Sequence, residues 1–590
     1  MSLFDFNRLQ NAYQIARKQL LSWRKPEGHW EGELSSSALS TAVAVSALVL
    51  TGSDKSNLMA RGLDWLVKHQ NADGGWGDTT ISFSNISTTI LCVSALKLAG
   101  EKEAHQNGLN RGVEWIKSRH GFSSTEISSA LAARYGNDKT FSVPILTNAA
   151  LAGLVEWEDV PSLPFELSCL PQGLYRFVGL PVVSYALPAL ISMGICIHRN
   201  NVRAFGPIRF FRTLLEKPSL RVLKSIQPSN GGFLEATPLT AFVCMSLAGA
   251  GYADHEVIKK GISFLESSVR EDGSWPIDTN LATWVTTLSI NAMAAGDDLA
   301  GLDKKEELKS WLLNQQYKTR HPYTGAEPGG WAWTDLPGGV PDADDTPGAM
   351  IALTNLGVPP GEWLAKAVRW LALLQNSDTG MPTFCHGWGK LPFDRSGADL
   401  TAHMLRAIAP FYGVEDQPIP ESLEHLGVEL ESLFDGGFHY LANQQNADGS
   451  WLPLWFGNQH EAEECNPVFG TARVLAAYRD CGMWADAHAR KGLKFLEKSQ
   501  NPDGGWGGFA GAPSTVEETA AVIDAIIQLD PNPKVLEKGL FWLIQRAEDG
   551  QLDEVAPIGF YFAKLWYFER LYPLVFAVSA LGRAKKLMGI

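Results

Sequence analysis

Apolar positions recur along this chain with a helical period, and the runs come in pairs. The segments 62–69 (GLDWLVKH) and 492–499 (GLKFLEKS) place apolar residues at helical spacing. Each runs into a Gly-rich turn. A second apolar run follows, rich in Ala, Leu, Val and Ser/Thr, as at 86–100 (ISTTILCVSALKLAG). The predicted unit is helix, turn, helix, repeated along the chain with almost no sheet.

The turn carries a recurring phrase, Gln-Asn-x-Asp-Gly-x-Trp. It reads QNADGGWG at 70–77, QNADGSW at 445–451 and QNPDGGWG at 500–507. Weaker copies stand at 25–30, 227–233, 271–275 and 375–381, and a decayed one at 545–551. Asn and Asp bond the local backbone, and Gly tolerates positive φ. Trp76, Trp451 and Trp506 are therefore predicted as structural staples, each stacking on a neighbouring repeat while the Gln bonds the turn. Stacked helix pairs form an open solenoid or a closed ring. Only 19 % of residues are charged, against about 25 % in ordinary soluble domains. That favours closure, with an inner and an outer layer of helices. The copies thin out between 120 and 225 and then resume. The expectation is an all-α protein of two rings, over 1–300 and 301–590, with the first residues packing on the second ring.

Composition narrows the function. The chain has 590 residues, 45 % of them apolar, which excludes disordered, collagen-like and coiled-coil classes. A net charge of −14 without a dense Lys/Arg run argues against nucleic acid as a partner. The seven Cys are scattered without CxxC spacing, which speaks against a disulfide framework or structural zinc and for a reducing compartment. The opening MSLFDFNRLQ lacks a signal-peptide pattern. The stretch Phe177 to Ile197 is uncharged and long enough to span a bilayer. Pro181 and Pro188 interrupt it, so a buried helix pair or a monotopic membrane contact is expected.

The sharpest local feature is PDADDTPG at 341–348, with Asp342, Asp344 and Asp345 together. Three acids in a Pro/Gly-rich loop are commonly a solvated turn, a helix N-cap or a metal loop. The EF-hand pattern is incomplete, because the distal Glu is absent. The DxDD order also differs from the DDxxD run of a magnesium–diphosphate site. Clustered carboxylates have another use: they cannot all ionise, so a proton is retained, and a neutral carboxylic acid in a dry pocket can donate it. In SGADLTAHML at 396–405, Asp399 and His403 are four residues apart and share a helix face. They read either as a surface pair or as an Asp-held His that sharpens a neighbouring acid.

With these motifs in place, the chain resembles the squalene-hopene cyclase family of class II terpene cyclases. The repeated Gln/Gly/Trp turns carry the resemblance over nearly the whole chain, and Asp342-Ala343-Asp344-Asp345-Thr346 matches the family's DxDDT. The resemblance implies two α/α barrels, a homodimer, and a monotopic place on the cytoplasmic side of a membrane. An apolar channel would lead from lipid to a central cavity, with Phe177–Ile197 a candidate for the membrane-facing part. It implies Asp344 as proton donor, Asp342 and Asp345 as tuning groups, His403 bonding the donor and Asp399 behind it. Neither metal nor organic cofactor is implied.

The same resemblance assigns the cavity wall. Trp333 stands where the family places a lining Phe, Trp284 resembles its Trp near the end of the preceding repeat, and Trp455 resembles a cavity Trp. Phe384-Cys385 resembles a Phe-Cys pair at the channel constriction, although that Phe could replace a cavity Tyr. Residues 557–573 resemble the aromatic tail at the far end, with Phe560 the expected contact. Departures cluster where a final cation would be quenched. The family's Tyr-Gly-Thr reads Phe469-Gly470-Thr471, the preceding loop 457–467 is longer and acidic, GELSSSALSTAV at 32–43 lacks an expected Glu, and LEATPLTAF at 234–242 lacks Gln-Pro-Pro-Trp.

These features predict proton-initiated cyclisation of a linear polyprene, with squalene and a hopene- or hopanol-type product as the default. A different, longer or part-cyclised prenyl substrate is the alternative. An epoxide fits less well, because the DxDD pattern is complete, and no DDxxD domain remains for a bifunctional enzyme. Two other classes compete: a zinc-dependent prenyltransferase subunit, for which no Cys has suitable spacing, and a non-catalytic barrel that binds lipid or protein.

Overall fold

The computed structural model describes residues 6–100, 103–136, 138–170, 183–201, 207–322, 324–386, 391–412, 421–561 and 564–589. Over these the protein is helical, with a few two- and three-residue strands. We label the N-terminal helix and the inner-layer helices in chain order. Helix α1 is Phe6–Ser22. The first ring has α2 (Ala38–Leu50), α3 (Ile86–Leu98), α4 (Lys139–Leu151), α5 (Val183–Asn200) and α6 (Thr237–Gly249). The second has α7 (Ala282–Ala295), α8 (Asp345–Asn355), α9 (Ala398–Ile408), α10 (Pro467–Asp480), α11 (Val516–Ile526) and α12 (Tyr572–Leu587).

Each set closes on itself: α2 meets α3 and α6, and α7 meets α8 and α12, with neighbours in contact around both circles. The expected pair of α/α rings is therefore present. The second ring begins with α7, at Ala282, so its first helix precedes residue 300. Helix α1 packs on α12 and on the outer helix Pro533–Glu548, helped by the Arg8–Glu548 ion pair at 2.6 Å.

Sequence chemistry separates the two layers. The inner helix α2 is apolar or small on every side and is buried all round; every residue from Ala38 to Leu48 is buried. Outer helices are amphipathic. Ser56–Lys68 buries Leu63, Trp65 and Leu66 and leaves its charges outside. Short polar residues start the inner helices: Asn85 accepts the Thr88 N–H, and Thr515 accepts that of Glu518.

The repeat turns are the joints between layers. The Trp76, Trp451 and Trp506 side chains are fully buried. Their indole N–H groups donate to the carbonyls of Leu66, Leu441 and Leu496 at 2.7–2.8 Å. The Gln70 amide donates to Gly74 O in its own turn and to Gly108 O of the next outer helix. Gln445 and Gln500 do the same in their repeats. The predicted staple role is what these contacts show. Gly74 takes φ +93°, and a Cβ there would press the Arg111 carbonyl at 3.1 Å.

The apolar stretch Phe177–Ile197 is divided. Residues 177–182 lie outside the described residues, and the rest belongs to α5, which buries Ile191, Met193, Ile195 and Ile197 in the first-ring core. Among the described residues, no helix is long and apolar enough to cross a membrane. A hairpin, Gly559–Tyr561 with Leu565–Tyr567, ties the rings together. Its Phe560 N–H donates to Trp455 O and its Trp566 N–H to buried Asp78.

Candidate active site

The acid loop ends at the start of α8. Its first acid caps that helix, because Asp342 Oδ1 accepts the N–H groups of Asp344 and Asp345, both at 2.8 Å. The N-cap reading of PDADD thus falls on Asp342. Asp342 and Asp345 are buried, and burial raises both carboxyls above the ordinary range, helped by the charge of Asp344 at Asp342 and by the charges of Asp342 and Asp344 at Asp345. Asp345 Oδ1 has no hydrogen-bond partner among the described residues.

Asp344 stands apart. Its side chain keeps 22 % exposure, and His403 Nδ1 lies 2.7 Å from its Oδ1. Helix α9 delivers His403, which is itself buried, and Trp284 packs edge-on against the ring at 5.9 Å. Burial holds the imidazole pKa down at about 4, against the opposing pull of Asp344. The indole N–H of Trp284 donates to the Tyr572 hydroxyl at 3.0 Å, which fixes that wall.

Asp399 is placed differently from the expectation. It does not bond His403; both of its oxygens lie 3.1 Å from the Leu454 N–H. The two share a helix face, but His403 Nδ1 is taken by Asp344 and the Asp399 carboxylate turns to the neighbouring loop. Burial, reinforced by Asp344, raises the Asp399 carboxyl to about 6.

A chamber of about 100 Å³ opens in front of the acids. Trp284, Trp333, Phe384, Trp455 and Phe560 line it with Asp342, Asp344 and Asp345. Two expected wall residues stand one layer back. Cys385 is buried with its Sγ against Phe393 O. Phe469 packs behind Phe456 at 4.3 Å, because Phe456 fills the space toward the chamber. Phe456, Tyr561 and Tyr567 also line it and were not singled out from sequence. Tyr561 is next to Phe560, and strand alternation was the available signal. Among the described residues, no three His, Cys, Asp or Glu side chains converge as a metal site.

The two rings and an acid loop facing an aromatic chamber define the class II terpene cyclases. The chain belongs to the squalene-hopene cyclase family: the family's N-terminal domain model matches residues 14–236 and its C-terminal domain model residues 281–586. It is 24 % identical to enfumafungin synthase of Hormonema carpetanum over 94 % of this chain and 47 % of that protein. It is 25 % identical to a terpene cyclase–glycosyl transferase fusion protein of Humicola fuscoatra, over 92 % of this chain and 47 % of the other. This chain thus spans about half the length of those two relatives. The squalene–hopene cyclase of Alicyclobacillus acidocaldarius is 25 % identical over 79 % of this chain and 78 % of its own. The solved ent-copalyl diphosphate synthase of Streptomyces platensis superposes with a TM-score of 0.56 at 18 % identity, covering 99 % of this chain and 100 % of that one. That likeness concerns the fold.

Proposed function

We propose that this protein cyclises a linear polyprene by protonating a terminal alkene, with Asp344 as donor and squalene as substrate. The observation that carries the reading is the 2.7 Å Asp344–His403 contact at the wall of an aromatic chamber. A plain alkene offers no charged handle, so it needs a strong acid placed where water is scarce. Asp344 O–H breaks, a C–H bond forms, and the positive charge moves along the chain as rings close. The faces of Trp284, Trp333, Phe384, Trp455 and Phe560 stabilise the cation without removing its protons. Asp342 and Asp345 keep the loop acidic, and His403 orients the donor carboxyl. Asp399 holds the Leu454 segment beside Trp455.

A monotopic place on a membrane belongs to the same proposal. Phe210, Phe211 and Leu214 are 69 %, 60 % and 57 % exposed on the helix Pro207–Ile226, an apolar surface suited to entry into the lipid interface. The experiment is to incubate detergent-solubilised protein with squalene and compare products by gas chromatography–mass spectrometry with Asp344→Asn. Identical profiles would remove Asp344 from its role. Squalene left intact while another polyprene is turned over would change the substrate and keep the mechanism. No turnover of any polyprene would favour the non-catalytic lipid-binding barrel.

A further inference from the structure

The acid chamber is too small for the substrate it is proposed to serve. It holds about 100 Å³, whereas an apolar cavity of about 150 Å³ is what takes up one benzene. A second apolar chamber of about 190 Å³ lies toward the first ring, walled by Phe141, Leu190, Met193, Phe242 and Leu565. Tyr561 lines both chambers and is the residue common to the two linings.

The Tyr561 ring is held in place by a buried acid. Its hydroxyl donates to Asp278 Oδ2 at 2.8 Å, and the Trp333 indole N–H donates to the same oxygen at 3.0 Å. Asp278 is fully buried, and its Oδ1 has no hydrogen-bond partner among the described residues. A buried acid half-satisfied in this way costs stability, so its contribution is positional: it fixes two rings of the chamber wall. The neighbouring backbone is constrained as well. Leu234 and Glu235 adopt φ of 56° and 53°, strained for residues with a Cβ. Leu234 faces the second chamber, and the Glu235 carboxylate accepts the Gly338 N–H of the loop leading to the acids.

We infer that Tyr561, pinned by Asp278, sets the length of hydrocarbon the site admits. A chain that fits one chamber leaves the ring where it is. A larger cavity of about 760 Å³ lies on the other side of Trp455, Phe456 and Phe560, but Arg134, Arg395, Glu463, Glu464 and Lys564 line it. The apolar way for a longer chain is past Tyr561 into the second chamber, and it opens by breaking the Tyr561–Asp278 bond. That bond therefore lowers the apparent affinity for long chains by the fraction of time the ring is displaced. The inference rests on the reading of the chamber as a polyprene site.

The test uses saturated hydrocarbons, which Asp344 cannot protonate, so binding is read whether or not cyclisation occurs. Labelled squalane (C30) and 2,6-dimethyloctane (C10) are bound to detergent-solubilised wild type, Tyr561→Phe and Asp278→Asn. Tyr561→Phe keeps the ring and removes the bond. It is expected to tighten squalane binding about fivefold, the effect of one lost neutral hydrogen bond, with the C10 chain within about twofold. Asp278→Asn keeps a carbonyl acceptor but replaces the carboxyl that holds both rings, and is expected to shift squalane the same way by less. It reads the same pin if Tyr561→Phe fails to fold. Squalane affinity unchanged, or both hydrocarbons tightening equally, would overturn the length limit alone. Neither hydrocarbon binding to any form would overturn the polyprene reading with it.

Discussion

The two rings are built from one repeat, yet their inner helices carry opposite chemistry. Helices α2 to α6 contain no Asp or Glu. Helices α7 to α12 contain Asp345, Asp399, Asp480, Glu517, Glu518 and Asp524. The polar groups buried in the first ring are mostly hydroxyls that bond their own helix: Ser46 donates to Ala42 O, Ser94 to Ile90 O and Thr147 to Val143 O. In the second ring, Asp524 accepts from Arg583 Nε at 2.9 Å and Ser579 Oγ at 2.8 Å and pairs with Arg479. Asp480 pairs with Arg406 and Arg479 at 2.7 Å each. Those arginines hold both carboxyls well below the ordinary range. The first ring is therefore a packed scaffold, whereas the second ring supports charge on its axis behind the acid.

The largest break in this contrast is chemical. Asp78 is a buried acid on the first-ring side of the seam and Asp344 a part-buried acid on the other, and only Asp344 touches the chamber. Asp344→Asn should lower squalene consumption about 10²–10⁴-fold, the range of one general acid, measured by gas chromatography. Asp78→Asn should leave product formation at the wild-type order and lower the melting temperature instead, because Asp78 anchors Trp566 N–H, Asn85 and Thr88. Equal losses of turnover would show that both acids are structural.

The next break is energetic. Asp524→Ala strands Arg583 and takes from Arg479 one of its two acid partners, and should cost about 3–5 kcal/mol, as for other broken buried ion pairs. Thr147→Ala in the first ring removes one hydroxyl whose acceptor is also a helix carbonyl, and should cost about 0.5–1.5 kcal/mol. Urea denaturation of both variants measures the difference. Similar losses would erase the distinction between scaffold and charged axis.

Much of this architecture was legible in the sequence. The Gln/Gly/Trp phrase gave the turns, because each of its residues has a partner at a fixed offset: Trp76 finds Leu66 ten residues back, and Gln70 finds Gly74 four residues on. Asp344 and His403 were legible through their motifs, and five of the expected aromatics line the chamber. Three details were not. Asp399 shares a helix face with His403, but face-sharing does not decide which partner wins, and the Leu454 N–H comes from a loop 55 residues away. Phe469 is screened by Phe456, a depth that spacing cannot register. The Tyr561–Asp278 contact joins positions 283 residues apart and has no local signature.

The gentlest probe of the contrast is pH, and its sign follows from the buried acids. Burial raises Glu518 and Glu569 from 4.5 to about 7 and also holds Glu517 and Asp345 well above their ordinary range. Each keeps a proton in the folded chain at a pH where the unfolded chain has lost it, so the stability it contributes falls as pH rises from about 4.5 through 7. Asp480 and Asp524 act in the opposite sense. Their depressed carboxyls add stability that disappears only on acidification below the ordinary carboxylate range, outside this window. Between pH 5.5 and 8 the raised acids therefore decide the outcome, and Glu517, Glu518 and Asp345 lie on α11 and α8. Hydrogen exchange followed by mass spectrometry, corrected for intrinsic rates, should show α8 and α11 losing protection across that window while α2 and α4 change little. Asp78, Glu235 and Asp278 are also raised, so the seam between the rings should loosen with the second ring. Loss that began in α2 and α4 would place the pH-sensitive element in the ring whose inner helices carry no carboxylate, and the charge-based contrast would fail.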